Sequence, residues 1–286
     1  MKRAVGIVLV LATAAGCASS GASSSLSVRR ARSPELTPVE APANVHDDDV
    51  RWYEYPASAG KSVLLGVVRA DGARPHPAVV VVPGGDGFST DHVAFAEELA
   101  RRGFDVGFGC WWANVPVRAD GPADAYIACP DGPLFKGVAD GAVPDLDALV
   151  AGVRHALGRP SEVALLGFSR GAGIAALRAA AGRPEPVVAV AGMFEGASNL
   201  GAFPGEVDVV GRAAGIRSPI LVLHATGDDV VPVAQARDFE AALRGAGRDV
   251  EANYYDIATH GVEHVPWVRA DIIDRTTRFL CARFTC

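Results

Sequence analysis

Short apolar runs typical of strands alternate with amphipathic runs typical of helices from about residue 60 onward. A continuous valine run that ends in glycines, at 76–85, predicts a buried central strand. The run at 91–103 has apolar residues at helical spacing and stops at a glycine, so it predicts a helix. By the same criteria, strands are predicted at 61–70, 76–85, 104–112, 162–168, 185–193, 218–227 and 249–257, and helices at 91–103, 144–158, 170–182, 233–247 and 265–284.

This alternation predicts an α/β domain with a mostly parallel central sheet and helices on both faces. The segment 110–143 is rich in turn residues and has no clear periodicity, so we expect a long loop there, of the kind that forms lids or binding loops. Ligands of parallel sheets bind beyond the carboxyl ends of the strands, and functional residues are expected at that edge.

The first 17 residues have the pattern of an export signal. Lys2 and Arg3 precede an apolar run, 4–16, that is short for a membrane span and ends at Cys17. This predicts a lipoprotein-type signal at 1–17, with Cys17 lipidated and the mature chain anchored to a membrane on the periplasmic or cell-surface side. The alternative is an ordinary secretory signal with an incidental Cys17, and either one exports the chain.

Residues 18–45 are rich in Ser, Ala and Pro and contain few large apolar side chains. A segment of this composition buries too little apolar surface to order itself. We therefore predict a flexible tether at 18–45 and a folded domain at 46–286.

The composition narrows the class of function. Of 286 residues, 49% are hydrophobic and 21% are charged, as in an ordinary globular protein. The net charge of −6 and the lack of a long Lys/Arg run argue against a nucleic-acid partner. Four cysteines remain after Cys17, and an even number suits an oxidising compartment. Cys110–Cys129 and Cys281–Cys286 are the local pairings among three possible connectivities, and buried free thiols are the alternative.

The sequence Gly167-Phe168-Ser169-Arg170-Gly171 lies where a predicted strand ends and a helix rich in small residues begins. G-x-S-x-G in this context is typical of a sharp turn that exposes a nucleophilic serine. The turn strains the central residue and brings backbone against positions 167 and 171, so both must be glycine. The helix N-terminus also favours the negative charge that develops in acyl transfer. A serine that merely caps the helix is the alternative.

An activated serine needs a base and a group that orients this base. Two aspartates, Asp228 and Asp229, follow the predicted strand 218–227, and two histidines, His260 and His264, follow the last predicted strand. The residues alone leave both aspartates as candidates for the acid and both histidines as candidates for the base. Three other histidines have no predicted role: His224 lies within a strand, and His92 and His155 lie on helices without catalytic context.

In this order, GFSRG (167–171), HATGDDVVP (224–232) and YDIATHGV (255–262) resemble the α/β-hydrolase superfamily, and most closely its dienelactone hydrolase-like family. The resemblance covers roughly residues 60–284 and implies the α/β-hydrolase fold. It implies Asp228 as the acid and His260 as the base beside Ser169. The implied reaction is hydrolysis of a small-molecule carboxylic ester through an acyl-enzyme, without metal or organic cofactor.

The chain departs from the family pattern at three positions. Many members use a cysteine nucleophile where this chain has Ser169, which leaves general ester hydrolysis open. Ala225 replaces the usual glycine after His224, and Pro83 replaces the usual histidine after the central strand.

The oxyanion hole is expected to use two backbone N–H groups. One belongs to Arg170, whose side chain is expected at the surface or behind the site, and the other, by resemblance, to Gly85, with Asp86 as the next candidate. Four aromatic residues are expected either to line the substrate pocket or to lie in the core: Trp111, Trp112, Tyr126 and Phe194. A peptidase or acylpeptide hydrolase on the same fold, and a non-catalytic surface binding protein, are the rival functions.

Overall fold

A computed structural model describes residues 35–42, 45, 47, 49–57, 61–72, 75–85, 87–110, 139–198, 201–202 and 208–286. The fold belongs to the compact unit Pro34–Cys286. Several predictions lie outside the described residues: the signal with Cys17, most of the tether, Asp86, Trp111, Trp112, Tyr126 and Cys129. Among the described residues, no helix has the length and apolar character that crossing a membrane requires.

The strands are β1 (Thr37–Val39), β2 (Arg51–Pro56), β3 (Ser62–Val68), β4 (Ala78–Val82), β5 (Asp105–Gly109), β6 (Val163–Phe168), β7 (Val187–Val190), β8 (Ala197–Ser198), β9 (Gly201–Ala202), β10 (Ile220–Ala225) and β11 (Val250–Tyr255). The α-helices are α1 (Thr90–Ala100), α2 (Ala139–Ala156), α3 (Arg170–Ala180), α4 (Val233–Gly245) and α5 (Pro266–Cys281). Two 3₁₀ helices are described, Val210–Gly215 and Val262–His264.

The described residues form one large sheet of nine strands, in the order β1-β2-β3-β5-β4-β6-β7-β10-β11. From β5 to β11 all neighbours are parallel, whereas β1, β2 and β3 extend the sheet in antiparallel pairing. The prediction of a mostly parallel sheet is confirmed. The short strands β8 and β9 form a separate antiparallel pair.

Two hydrophobic cores lie on opposite faces of this sheet, as alternation along each strand requires. In β4, Val80 and Val82 join the core beneath α2, α3 and α4, whereas Val79 and Val81 join the core beneath α1 and α5. All five strand residues are completely buried. The continuous valine run therefore reflects burial of both faces.

Helix α2 begins at Ala139, five residues before the predicted start, so residues 139–143 are helical rather than part of the expected loop. Pro144, the first residue of the predicted helix, lies inside the observed one. The reason is packing: Ala142 is buried in line with Leu146 and Leu149 against the sheet.

Strand β1 lies within the range 18–45 that the composition predicted to be a flexible tether. Its residues Thr37 and Val39 pair in register with Glu54 and Trp52 of β2. This pairing corrects the prediction for residues 37–39, because backbone hydrogen bonds to a formed sheet edge do not require an apolar sequence.

Two other predictions are resolved in the fold. Cys281 and Cys286 form the predicted disulfide, and Cys110 is also disulfide-bonded, to a partner outside the described residues. Phe194 belongs to the core and not to a pocket, since it is completely buried with its ring stacked on Phe239, 4.3 Å between centroids.

Candidate active site

Ser169 forms the turn between the last residue of β6, Phe168, and the first residue of α3, Arg170. Its φ of 50° and ψ of −118° place a non-glycine residue in a conformation that L residues rarely adopt. The Ser169 N–H donates to the carbonyl oxygen of Val190 at 2.8 Å, and its carbonyl accepts from the Met193 N–H at 3.1 Å. The strained turn is therefore held by the end of β7.

The two glycines of the turn exclude a side chain for different reasons. A Cβ at Gly167 would lie 2.6 Å from the backbone of Ala172, so the turn closes on itself there. A Cβ at Gly171 would lie 2.2 Å from the carbonyl oxygen of Pro83, at the end of β4. The first glycine permits the sharp turn, and the second lets α3 start against the neighbouring strand.

Asp228 and His260 come to Ser169 from the carboxyl ends of two further parallel strands, β10 and β11. His260 Nε2 lies 2.8 Å from Ser169 Oγ, and His260 Nδ1 lies 2.8 Å from Asp228 Oδ2. The structure thus joins the three residues in one chain of hydrogen bonds. Because Asp228 is a carboxylate acceptor, Nδ1 carries the imidazole hydrogen and Nε2 accepts from the serine hydroxyl.

The Asp228 side chain is completely buried and accepts four hydrogen bonds. Oδ1 accepts from the backbone N–H groups of Val230 at 2.9 Å and Val231 at 2.7 Å. Oδ2 accepts from His260 and also lies 3.2 Å from Nε2 of His224. Burial alone would raise the pKa of the Asp228 carboxyl, but these donors hold this pKa well below its usual range. Asp228 is therefore an anion at neutral pH.

The alternative acid and base lie beside this chain of hydrogen bonds but outside it. Asp229 is exposed, and its Oδ1 accepts the backbone N–H of His260 at 3.0 Å. His264 is exposed, with Nδ1 3.4 Å from Asp91. Asp229 can help to hold the His260 loop, whereas the imidazole hydrogen points to Asp228.

The two oxyanion candidates lie at the start of α3 and in the turn after β4. Arg170 is the first residue of α3, so its backbone N–H belongs to the positive end of the helix dipole. Its side chain is buried rather than at the surface, and burial lowers the pKa of Arg170 to about 10. Gly85 lies in the turn after β4, while its neighbour Gly84 lines the cavity at Ser169.

A cavity of about 300 Å³ opens at Ser169 and His260. Phe168, Ala191 and His92 also line it. A larger depression of about 630 Å³, at the ends of α1 and α2 remote from Ser169, contains none of these residues. No group of three His, Cys, Asp or Glu side chains in the described part of the chain could hold a metal ion.

His92 is a cavity residue that the sequence analysis assigned no role. It is the third residue of α1, and its Nδ1 lies 3.2 Å from the backbone nitrogen and 2.8 Å from Oγ of Ser89, which caps the helix. These contacts fix the imidazole beside Phe168, with ring centroids 5.5 Å apart. The sequence signal that could have indicated a fixed His92 is Ser89, a capping residue three positions before it at the start of the helix that follows the glycine loop.

Comparison with protein families matches residues 65–264 to the model of the dienelactone hydrolase family. The chain belongs to the dienelactone hydrolase family. The family is one of hydrolases, and the match confirms the resemblance that the three motifs indicated. No curated protein matches the chain significantly.

Solved structures confirm the α/β-hydrolase fold. A candidate dienelactone hydrolase from Klebsiella pneumoniae is 21% identical with a TM-score of 0.66, over 82% of this chain and 99% of that one. A Pyrococcus furiosus esterase is 18% identical with a TM-score of 0.66, over 86% and 98%. An acylaminoacyl peptidase from Pyrococcus horikoshii is 11% identical with a TM-score of 0.64, over 82% of this chain and 42% of that one.

Proposed function

We propose that this family member is a serine hydrolase that cleaves small carboxylic esters through an acyl-enzyme. Ser169 is the nucleophile, His260 the general base and Asp228 the group that orients the base. The observation that carries the proposal is the unbroken chain of two 2.8 Å contacts from Ser169 Oγ through His260 to Asp228, at the mouth of a cavity.

In the first half-reaction, Ser169 Oγ attacks the ester carbonyl carbon while His260 Nε2 takes the hydroxyl proton. The tetrahedral intermediate expels the alcohol, which receives that proton from His260. Water then attacks the acyl-enzyme, with His260 again as base, and releases the acid and Ser169. Asp228 keeps the hydrogen on Nδ1 and stabilises the imidazolium that forms in each step.

The negative charge that develops on the carbonyl oxygen requires hydrogen-bond donors. The backbone N–H groups of Arg170 and Gly85 are our candidates, because one begins the helix and the other lies in the glycine turn after β4. Loss of one such donor typically costs roughly 2.7–4 kcal/mol of transition-state stabilisation.

The lipoprotein-type signal supports an exported enzyme that is anchored to a membrane through Cys17. Metabolic labelling with an alkynyl fatty acid tests this part of the proposal. Label is expected on the full chain and not on a Cys17→Ala variant. Equal labelling of the two, or no label on either, would contradict the anchor.

The enzymatic proposal is tested with p-nitrophenyl esters of increasing acyl length and the purified full-length chain, beside Ser169→Ala. We expect turnover and labelling by a fluorophosphonate probe, both absent from the variant. Turnover should fall below pH about 6, as the base becomes protonated. Cleavage of acyl-peptide anilides but not esters would favour the peptidase. Neither turnover nor labelling would leave the non-catalytic binding protein as the function.

A further inference from the structure

His224, in β10, is completely buried and reaches the same carboxylate as His260. Its Nε2 lies 3.0 Å from the carbonyl oxygen of Val231 and 3.2 Å from Asp228 Oδ2. Both of these atoms are acceptors, so Nε2 carries the hydrogen and shares it between them. One imidazole N–H therefore ties the end of β10 to both the acid and the turn that carries it.

The other ring nitrogen of His224 lowers the stability of the fold. Nδ1 is buried and has no hydrogen-bond partner among the described residues. A buried polar atom without a partner destabilises a fold, and an apolar side chain of similar size would avoid this loss. The presence of histidine in β10 is thus explained by what Nε2 contacts.

The hydrogen bonds divide the Asp228 carboxylate into two halves. Oδ1 is held by the backbone N–H groups of Val230 and Val231, and Oδ2 by the two imidazoles. Without His224, Oδ2 would keep only its bond to His260. The carboxylate would then be freer to rotate, and more of its charge would act on the His260 imidazolium.

We propose that His224 is a positioning residue, whose Nε2–H fixes the Asp228 carboxylate so that Oδ2 faces Nδ1 of His260. The inference rests on the proposed function, because it assigns His224 a role in orienting the general base. His224 does not line the cavity, and its Nε2 reaches the site through Asp228 and the turn at Val231.

Other titratable groups near His260 stay unchanged when His224 is replaced. Asp229 accepts the His260 backbone N–H, and Glu263, His264 and His92 line the same cavity. Their effect on the pH profile is common to the wild type and every variant, so a shift between profiles reports the loss of the His224 contact.

The test compares His224→Leu, which removes the donor, with His224→Gln, whose amide nitrogen can replace Nε2. For the Leu variant we expect kcat to fall roughly tenfold with KM nearly unchanged, because the base is misoriented. The acidic limb of the kcat/KM profile should rise by about half a pH unit or more. The Gln variant should recover most of both effects.

Ser218→Ala is the matched control, because it removes a buried side-chain donor, 2.7 Å from the Arg183 carbonyl oxygen, outside the site. It should lower stability without moving the pH profile. A Leu profile that overlays that of the wild type, or a Gln variant as impaired as Leu, would overturn the positioning role.

NMR of the wild type tests the role of His224 even if the Leu variant does not fold. The ¹⁵N shifts of His224, assigned by their loss in the Gln variant, should report hydrogen on Nε2 and an unprotonated Nδ1. Hydrogen on Nδ1 would overturn the proposal. This readout does not depend on activity, so it distinguishes a wrong role for His224 from a protein that shows neither turnover nor labelling.

Discussion

Two buried carboxylates of this protein, Asp228 and Glu185, are stabilised as anions by different kinds of partner. Glu185, just before β7, accepts from Arg178 of α3 at 2.8 Å and from Arg154 of α2 at 3.1 Å. Asp228 instead accepts from two histidines and two backbone N–H groups. Burial alone would raise the pKa of either carboxyl, and in both the hydrogen bonds hold the pKa below its usual range.

The difference lies in what the partner can do with its proton. Arginine stays protonated throughout the physiological range, so Glu185 and Arg178 form a fixed ion pair that fastens α3 to the sheet. The imidazole of His260 can gain and lose a proton beside an anion that does not move. A lowered carboxyl pKa alone therefore does not mark an active site, and the partner decides its role.

Neutralising each carboxylate without changing its shape should separate the two roles most clearly. Asp228→Asn removes the acceptor for the His260 Nδ1 hydrogen, so the wrong tautomer forms and kcat should fall by about 10⁴-fold. Glu185→Gln should leave kcat of the folded protein unchanged and lower its stability. Ester hydrolysis and urea unfolding of both variants provide the measurements.

Asp229→Asn is the control for the first of these changes, because Asp229 accepts the backbone N–H of His260, at 3.0 Å, and not its imidazole hydrogen. Its kcat should fall by no more than about tenfold. A loss in Asp229→Asn as large as in Asp228→Asn would transfer the orienting role to Asp229.

Replacing Arg178, the partner of Glu185, should have the next largest effect, on the free energy of unfolding. Arg178 is buried and also donates to Asp147 of α2 at 2.8 Å. Arg178→Met leaves two carboxylates with weaker compensation, so the free energy of unfolding should fall by about 3 kcal/mol in urea titrations. The double variant Arg178→Met/Glu185→Leu should recover much of it. A double variant that is less stable than Arg178→Met would show that Glu185 still stabilises the fold when Arg178 is absent. The stability lost in Arg178→Met would then not come from an unpaired Glu185 charge.

Some elements of the fold could be predicted from the sequence, and others could not. Strand β4 could be predicted because it is buried on both faces of the sheet. Such a strand shows in the local sequence as a continuous apolar run. Strand β1 could not be found in this way, since three residues around Pro38 become a strand only by pairing with β2. Helix α2 begins before the predicted start because Ala142 packs into the core against the sheet, a contact that the local sequence does not show.

The residues of the candidate site also fall into those that the sequence predicts and those that it does not. Ser169, Asp228 and His260 were predicted because each follows a recognisable strand in a motif with turn residues. The cavity position of His92 depends on how α1 packs, and the bond from His224 to Asp228 depends on how the intervening turn folds back. Such contacts join residues through tertiary geometry, which the pattern of one chain does not contain.

A third carboxylate, Glu97 of α1, extends the comparison, because its hydrogen-bond partner is another acid, Asp47. This contact, with burial and the charge of Asp47, raises the pKa of Glu97 to about 7 from an ordinary 4.5. The folded state thus binds this proton more tightly than the unfolded state. The stabilisation is complete below pH 4.5 and is lost as the pH rises through about 7.

Glu97→Gln keeps a donor toward Asp47 at every pH, so this variant should match the wild type near pH 4.5 and exceed its stability at pH 8. The gain should stay under about 1 kcal/mol, because solvent screens this partly exposed pair. Urea unfolding at the two pH values measures it. Glu98→Gln, which loses an ion pair with Arg269 at 2.7 Å, should show no such gain at pH 8. A Glu97→Gln variant that is equally stabilised at both pH values would mean that the shared proton has no part in the effect.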